Sequence, residues 1–325
     1  MTGTNKLQRG VLLDRDTIDA GGDIDFAALV SMFSQWQAYD YTLKDDTIER
    51  IDGASVIISN KVMLDEKALR SVPGLKLVCI AATGTNNVDL EAAKALAIPV
   101  CNVRGYATAT VSQHALALIL ALSTRLIDYH EAVRSDRWQQ ARQFCLLDYP
   151  IRELAGKTLG IVGYGELGRG VARLGEALGM KLLIAQRPGG PAEPGRIPLH
   201  ELLPQVDVLS LHCPLTPETQ NLIGAREFAL MKRDAILINT ARGGIVDEQA
   251  LADALRQGRI GGAGVDVLTV EPPVKGNVLL DPDIPNLIVT PHSAWASRET
   301  RQRLVDELVT NIRAFLKGSV RNPVT

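Results

Sequence analysis

Short, almost uninterrupted apolar runs recur along the chain, separated by stretches with helical spacing of apolar positions. These runs lack the alternation of half-exposed strands, so they predict strands buried on both faces, as in parallel sheets covered by helices. Strands that alternate with helices predict a doubly wound α/β fold. The runs form two sets, at 11–13, 55–59, 75–81 and 98–102, and then at 158–162, 181–185, 207–212, 235–239, 262–267 and 286–290.

Two sets of strands predict two parallel-sheet domains, and a chain of 325 residues is also long for a single hydrophobic core. An apolar, helix-like run at 110–127 is suited to link the domains. An irregular segment with polar and aromatic residues follows at 135–150, and the Pro- and Gly-rich stretch at 188–198 is typical of a loop.

Charge and composition narrow the choice of partners and location. Thirty-five Lys and Arg against 37 Asp and Glu leave a net charge of -2, which gives no reason to expect nucleic acid or a membrane surface as partner. The first ten residues are polar and no apolar run approaches a membrane span, so we expect a cytoplasmic protein. The four cysteines are expected to be free thiols, and no metal site is expected because no cluster has ligand spacing.

A glycine-rich loop follows the predicted strand at 158–162 and precedes a predicted helix at 167–178. In this context the first glycine permits a tight turn, the second lets the backbone approach a pyrophosphate, and the third lets the helix pack closely on the strand. The free N–H groups of the helix then face the phosphates. The loop predicts a dinucleotide site, the alternative being a turn without ligand; it consists of Gly163, Tyr164, Gly165, Glu166, Leu167 and Gly168.

The end of the next predicted strand bears on the choice between NAD and NADP. An acidic residue usually stands there and binds the ribose 2′-hydroxyl of NAD. This chain has Gln186 followed by Arg187, and a guanidinium pairs well with a 2′-phosphate. The sequence therefore favours NADP over NAD, and the alternative is that Arg187 is a solvated loop residue.

Four segments give the chain a resemblance to a known family. They are Ala-Ala-Thr-Gly-Thr-Asn-Asn-Val-Asp at 81–89, the glycine loop, Asn-Thr-Ala-Arg-Gly-Gly-Ile-Val-Asp at 239–247, and Gly-Val-Asp-Val at 264–267 with Glu271-Pro272 and Thr-Pro-His-Ser at 290–293. Over nearly its whole length the chain resembles the D-2-hydroxyacid dehydrogenase family. Within that family, its motifs are most similar to those of the glycerate dehydrogenases, also called hydroxypyruvate reductases.

The resemblance implies that Arg242, Glu271 and His292 are catalytic. A guanidinium holds a carboxylate or polarises a carbonyl, histidine exchanges a proton near neutral pH, and a carboxylate beside it favours its charged form. All three follow predicted strands, at the sheet edge where ligands bind. The alternatives are a surface arginine, a glutamate that merely precedes a turn and a core histidine.

Further roles are implied by position. The segment Thr83-Gly84-Thr85 resembles a loop whose N–H groups bind the substrate carboxylate. Asp266 resembles the residue that contacts the nicotinamide carboxamide. Trp138 lies in the segment that dimerises in this family, so we expect a homodimer. The remaining cofactor residues implied are Thr108, His212, Cys213, Pro214, Thr219, Thr240 and Ala241.

The family's chain order implies a discontinuous substrate domain, 1–103 with 293–325, around a Rossmann cofactor domain, 104–292, with closure on substrate. The expected activity is NAD(P)H-dependent reduction of hydroxypyruvate or glyoxylate to D-glycerate or glycolate. One alternative is a dehydrogenase of the same family with another substrate, such as phosphoglycerate or a branched acid. Two others are an enzyme that oxidises formate or phosphite and a binding protein that senses the dinucleotide without catalysis. We expect residues 59–63, Tyr106 and Trp295 to form the walls of the substrate pocket. These residues do not determine which 2-keto acid is preferred.

Overall fold

The computed structural model describes residues 6–325. The chain divides into two compact units, whose described parts are 6–107 with 296–325, and Thr108–Trp295. Each unit contains one parallel sheet with helices packed against it. The predicted fold class, α/β with two parallel sheets, is therefore confirmed.

The sheet of the first unit has the strand order β2-β1-β3-β4-β5, and all neighbours are parallel. Its strands are β1 (Leu7–Leu12), β2 (Phe33–Ala38), β3 (Val56–Ser59), β4 (Leu77–Ile80) and β5 (Val100–Cys101). Its helices are α1 (Asp16–Asp19), α2 (Ala27–Val30), α3 (Thr47–Ile51), α4 (Glu66–Arg70), α5 (Leu90–Ala95) and α12 (Arg298–Leu316).

Strand β2 lies outside every predicted run, and β5 is shorter than the run that predicted it. Half of the β2 residues, Phe-Ser-Gln-Trp-Gln-Ala, are polar, because an edge strand is covered less than a central one and only its first residue is fully buried. The apolar run at 98–102 contributes only two residues to the sheet. In this first sheet, apolar content therefore identified the central strands and failed at the edges.

The sheet of the second unit has the order β11-β10-β9-β8-β6-β7, also parallel throughout. Its strands are β6 (Thr158–Val162), β7 (Lys181–Ile184), β8 (Val208–Leu211), β9 (Ile236–Asn239), β10 (Gly262–Val265) and β11 (Leu287–Val289). Its helices are α6 (Thr108–Thr124), α7 (Leu126–Arg134), α8 (Glu166–Ala177), α9 (Leu199–Leu202), α10 (Ala225–Leu230) and α11 (Glu248–Arg256).

The strand order of this second sheet reverses at β6, which pairs with β7 on one side and β8 on the other. In open parallel sheets, ligands bind at such a switch point, outside the carboxyl ends of the strands. The sheet's two faces are covered by separate apolar clusters. Ala115 of α6 and Val171 of α8 belong to one, and Phe228 of α10 and Leu251 of α11 belong to the other.

Taken one at a time, the described helices include none with the length and hydropathy of a membrane span, while α6 and α7 meet those criteria together across a 60° bend. The linking helix of the sequence analysis is α6, which begins at Thr108. It ends before Arg125, which has a positive φ of 55°. Ala115, Leu118, Ile119 and Leu122 of α6 are buried in the second unit.

Candidate active site

The glycine loop forms the turn from β6 into α8, and two of its glycines have no room for a side chain. Gly163 has a φ of +92°, and a Cβ there would lie 2.5 Å from the backbone nitrogen of Cys213. A Cβ on Gly168 would lie 2.2 Å from the carbonyl oxygen of Gly163. Gly165 differs, since no described atom lies within 4 Å of its Cβ position. The turn is thus packed tightly against the β8 end and open at Gly165, where a pyrophosphate needs access to the backbone.

Gly165 is the N-cap of α8, a helix of 12 residues, so the free N–H groups of its first turn lie beside the open position. The Thr108 hydroxyl, at the start of α6, donates to Glu166 Oε1 at 2.5 Å and ties the two helix starts together. Tyr164 and Leu167 are half-buried. This arrangement suits an anionic phosphate group at the turn.

Three side chains at the carboxyl edge of the second sheet and on α6 have buried polar atoms without a hydrogen-bond partner among the described residues. They are Nδ1 of His212, Oγ1 of Thr240 and Oγ of Ser112. Buried polar groups are normally paired, so such atoms indicate a place where a ligand supplies the partner. Thr240 and His212 were predicted cofactor residues, and their orphaned atoms fit a polar dinucleotide.

His212 and Cys213, directly after β8, are kept uncharged by burial. The His212 ring lies 2.9 Å from the Ser210 hydroxyl, and burial lowers its pKa from 6.5 to about 4. Burial raises the pKa of the Cys213 thiol to about 11. Further along the same loop, Thr219 donates from its hydroxyl to the Pro214 carbonyl at 2.7 Å, which holds the loop in a closed turn.

The end of β7 carries the residues predicted to distinguish NADP from NAD. Gln186 donates from its side chain to the Gly190 carbonyl at 3.2 Å, and Arg187 is exposed. The Glu218 side chain lies beside this loop, because a Cβ on Gly189 would be 3.1 Å from its Cγ. A hydrogen bond from Thr216 and, more weakly, the charge of Arg187 lower the pKa of Glu218. The loop therefore contains one exposed cation with a carboxylate nearby.

A histidine–carboxylate pair lies at the other end of the same sheet edge. His292, after β11, has Nδ1 2.6 Å from Oε2 of Glu271, while Oε1 of Glu271 accepts the N–H of Leu268 at 2.8 Å. A cavity of about 400 Å³ adjoins the pair. Both side chains are about one-third exposed, which leaves the imidazole accessible. The structure thus brings together two of the three predicted catalytic residues.

Arg242, the third, follows β9 and is exposed; its Nη1 donates to the Ala241 carbonyl at 2.7 Å. The carbonyl of Arg242 accepts a hydrogen bond from the Asn239 side chain at 3.0 Å, and Asn239 Oδ1 accepts the N–H of Ala241 at 3.1 Å. The last residue of β9 therefore fixes the backbone that presents the arginine.

Asp266, after β10, is almost fully buried and holds the segment around His292. Its carboxylate accepts the Thr290 hydroxyl at 2.5 Å and the N–H groups of Ser293 and Ala294 at 2.9 Å each. The Thr290 hydroxyl also lies 3.0 Å from Nε2 of His114 on α6. The sequence analysis assigned no site role to His114. Only the packing of α6 against this sheet places it there, although its position on the linking helix was a signal that could have been followed.

The predicted substrate loop lies after β4 in the first unit. The hydroxyl of Thr83 donates to the Val103 carbonyl at 2.9 Å, and its own carbonyl accepts the Asn102 side chain at 2.7 Å. The carbonyl of Thr85 accepts the N–H of Val88 at 3.1 Å. These bonds fix a turn that contains Gly84 at the carboxyl edge of the first sheet.

Across residues 6–325 no group of His, Cys, Asp and Glu is arranged to hold a metal ion. The four cysteines are free; Cys79, Cys101 and Cys213 are buried and Cys145 is half-buried. Trp138 is 51% exposed and donates from its indole to the Phe144 carbonyl.

The fold and the glycine turn define a dinucleotide-binding protein, and comparison with known proteins gives its family. Residues 116–294 match the model of the D-isomer specific 2-hydroxyacid dehydrogenase NAD-binding domain. The chain belongs to the D-isomer specific 2-hydroxyacid dehydrogenases, enzymes that act on CH–OH groups with a nicotinamide dinucleotide.

Similar proteins match over almost the entire chain. It is 48% identical over 318 residues to a glycerate dehydrogenase of Methylorubrum extorquens, covering 97% of this chain and 98% of that protein. It is 39% identical over 310 residues to a hydroxypyruvate reductase of Blautia hydrogenotrophica, covering 93% and 95%. The crystal structure of the TT0316 protein from Thermus thermophilus superposes with a TM-score of 0.82 at 34% identity, covering 98% and 100%.

Proposed function

We propose that this dehydrogenase reduces small 2-keto acids to D-2-hydroxy acids, with hydroxypyruvate as main substrate and glyoxylate as a second one. The products are D-glycerate and glycolate, and the reaction is reversible. The observation that carries the proposed chemistry is the 2.6 Å contact between His292 Nδ1 and Glu271 at the sheet edge that also carries the glycine turn. The choice of hydroxypyruvate is supported by the relatives' names, glycerate dehydrogenase and hydroxypyruvate reductase.

Each catalytic side chain has a distinct task in this proposal. The bound reduced nicotinamide supplies the hydride. Glu271 accepts the hydrogen bond from Nδ1 of His292, so the proton available for transfer is on Nε2. His292 donates that proton to the carbonyl oxygen, and Arg242 holds the substrate through charge-assisted hydrogen bonds. For the loop at 83–85 we propose a role in binding the substrate carboxylate.

Initial rates across a panel of 2-keto acids, each with NADH and NADPH, test this proposal. We expect the highest kcat/KM with hydroxypyruvate, followed by glyoxylate, and D-glycerate as the product. Dinucleotide binding without turnover of any acid on the panel would contradict it and would favour a dinucleotide-sensing role. Highest kcat/KM with a phosphorylated or branched acid would keep the reaction class and overturn the substrate.

For the cofactor we propose a preference for NADPH, based on exposed Arg187 and the absence of a carboxylate at Gln186. Arg187→Ala should raise KM for NADPH about tenfold and leave KM for NADH nearly unchanged, because only NADPH carries the 2′-phosphate. Arg196→Ala is a matched control, since Arg196 lies further along the same loop and pairs with Glu193 at 2.9 Å. Equal effects of Arg187→Ala on both cofactors would contradict this assignment.

We also propose that the protein is a homodimer formed through α7 and the segment that follows it. Large apolar side chains are exposed there in unusual number, and a contiguous exposed apolar surface commonly marks an interface. They are Leu126, Ile127, Val133, Trp138, Phe144, Leu147 and Ile151.

A further inference from the structure

Glu248, the first residue of α11, directs its carboxylate away from its own helix. The helix is capped by Asp247, whose side chain accepts the N–H of Ala250. Glu248 instead accepts the N–H of Thr269 at Oε1 and the side-chain amide of Asn277 at Oε2, both at 2.7 Å. Because Asp247 caps the helix, the Glu248 carboxylate is not needed for capping. Both of its oxygens bind a loop that is distant in sequence.

These two hydrogen bonds fix both ends of the segment 269–277, which carries Glu271. Asn277 is itself anchored, because its Oδ1 accepts the N–H of Leu279 at 2.9 Å and caps the 3-10 turn Val278–Leu280. Thr269, Val270 and Glu271 are exposed. Because burial does little to hold this part of the segment, hydrogen bonds hold it: the one from the Leu268 N–H to Glu271 and the charge-assisted bonds to Glu248.

We propose that Glu248 is a positioning residue that holds Glu271 against His292, an inference that rests on the proposed function. It touches neither the imidazole nor the proposed substrate. It keeps the Glu271 carboxylate at 2.6 Å from Nδ1, and that contact sets the orientation of the imidazole that donates the proton. Losing Glu248 should therefore lower kcat and leave KM for hydroxypyruvate nearly unchanged, which a general loss of structure would not do.

The test measures kcat and KM for hydroxypyruvate in the wild type, Glu248→Ala and Glu248→Gln. In Glu248→Ala we expect kcat to fall about tenfold with KM for hydroxypyruvate nearly unchanged, because the displaced Glu271 carboxylate no longer orients the proton donor. Gln keeps an acceptor for the Thr269 N–H, so Glu248→Gln should recover part of the lost kcat. KM for the nicotinamide cofactor should not change.

The ionisable groups that contact the segment around His292 remain in place in these variants. They are Asp266 after β10, which accepts the Ser293 N–H, and His114 on α6, which lies 3.0 Å from the Thr290 hydroxyl. Glu227→Ala is the matched control, because Glu227 also accepts a backbone N–H at a helix start, that of Gly224 at 3.1 Å. This control should leave kcat unchanged.

A double-mutant cycle with Glu271→Gln decides whether Glu248 acts through Glu271. If it does, adding Glu248→Ala to Glu271→Gln should lower kcat/KM no further. Fully additive losses would overturn the proposal, as would a Glu248→Ala kcat equal to that of Glu227→Ala. A loss of kcat in Glu248→Gln as large as that in Glu248→Ala would overturn it too, because it would indicate a direct effect of charge. Failure of the proposed function itself is distinguishable, since the wild type would then turn over no 2-keto acid.

Discussion

The imidazole of His212 lies at the end of β8, 2.9 Å from the Ser210 hydroxyl and with a buried Nδ1 that is unpaired among the described residues. Its pKa is lowered by burial to about 4 from 6.5, so the folded protein resists a proton that the unfolded chain accepts. This contribution to stability is complete above pH 6.5 and is lost as pH falls toward 4.

His212→Gln should therefore reduce the sensitivity of folding to acid. Between pH 7.5 and 5, we expect the wild-type free energy of unfolding to fall by about 2 kcal/mol more than that of the variant, from the linkage between pKa and stability. Denaturant unfolding of the cofactor-free protein at the two pH values measures the difference. The same loss in both proteins would mean that His212 is not held neutral.

At the scale of single residues, candidate site residues could be predicted where they directly follow a predicted strand and belong to a family motif. Glu271 and His292 lie 21 positions apart, and the structure brings them into contact. His114 and Glu248 were not predicted as site residues. Their contacts depend on how a helix packs against the end of a distant strand or loop, and the only sequence signal was the position of His114 on the linking helix.

At the scale of one element, two glycines of the turn between β6 and α8 are expected to act differently. Gly168 is needed for packing, and Gly165 is needed for dinucleotide binding. Gly168→Ala places a Cβ 2.2 Å from a backbone oxygen, so we expect a loss of roughly 1–3 kcal/mol in stability together with loss of dinucleotide binding. Gly165→Ala meets no described atom and should leave stability within about 0.5 kcal/mol of the wild type.

Gly165→Ala should nevertheless weaken dinucleotide binding, because its methyl group occupies the side from which a pyrophosphate approaches. Thermal unfolding and titration with NADPH, carried out on both variants, test this pair of expectations. Wild-type binding by Gly165→Ala would show that the phosphates lie elsewhere.

Elements were predictable where burial on both faces left an apolar signature. The run at 158–162 coincides with β6, and every strand of the second sheet lies within a predicted run. The polar edge strand β2 was missed because its stability comes from pairing with β1 and not from its own composition. Helix α6 was recognised, but it begins two residues before the predicted run at 110–127 and ends three residues before the end of that run.

At the scale of the whole molecule, the exposed apolar segment after α7 predicts self-association. Phe144 and Leu147 are 89% and 84% exposed. The double substitution Phe144→Asp and Leu147→Asp should convert a dimer to a monomer in sedimentation velocity, because it places charges within an apolar interface. Leu43→Asp, at a site that is 60% exposed in the first unit, should leave the dimer intact. A monomeric wild type would contradict the proposed assembly.

The proposed function requires His292 to donate a proton to a 2-keto acid. The most direct test is the initial rate at which nicotinamide absorbance falls on adding hydroxypyruvate, for wild type, His292→Ala and the exposed-histidine control His200→Ala. We expect turnover by the wild type and the control, and a loss of about 10²–10⁴-fold in His292→Ala. Wild-type turnover by His292→Ala would contradict it.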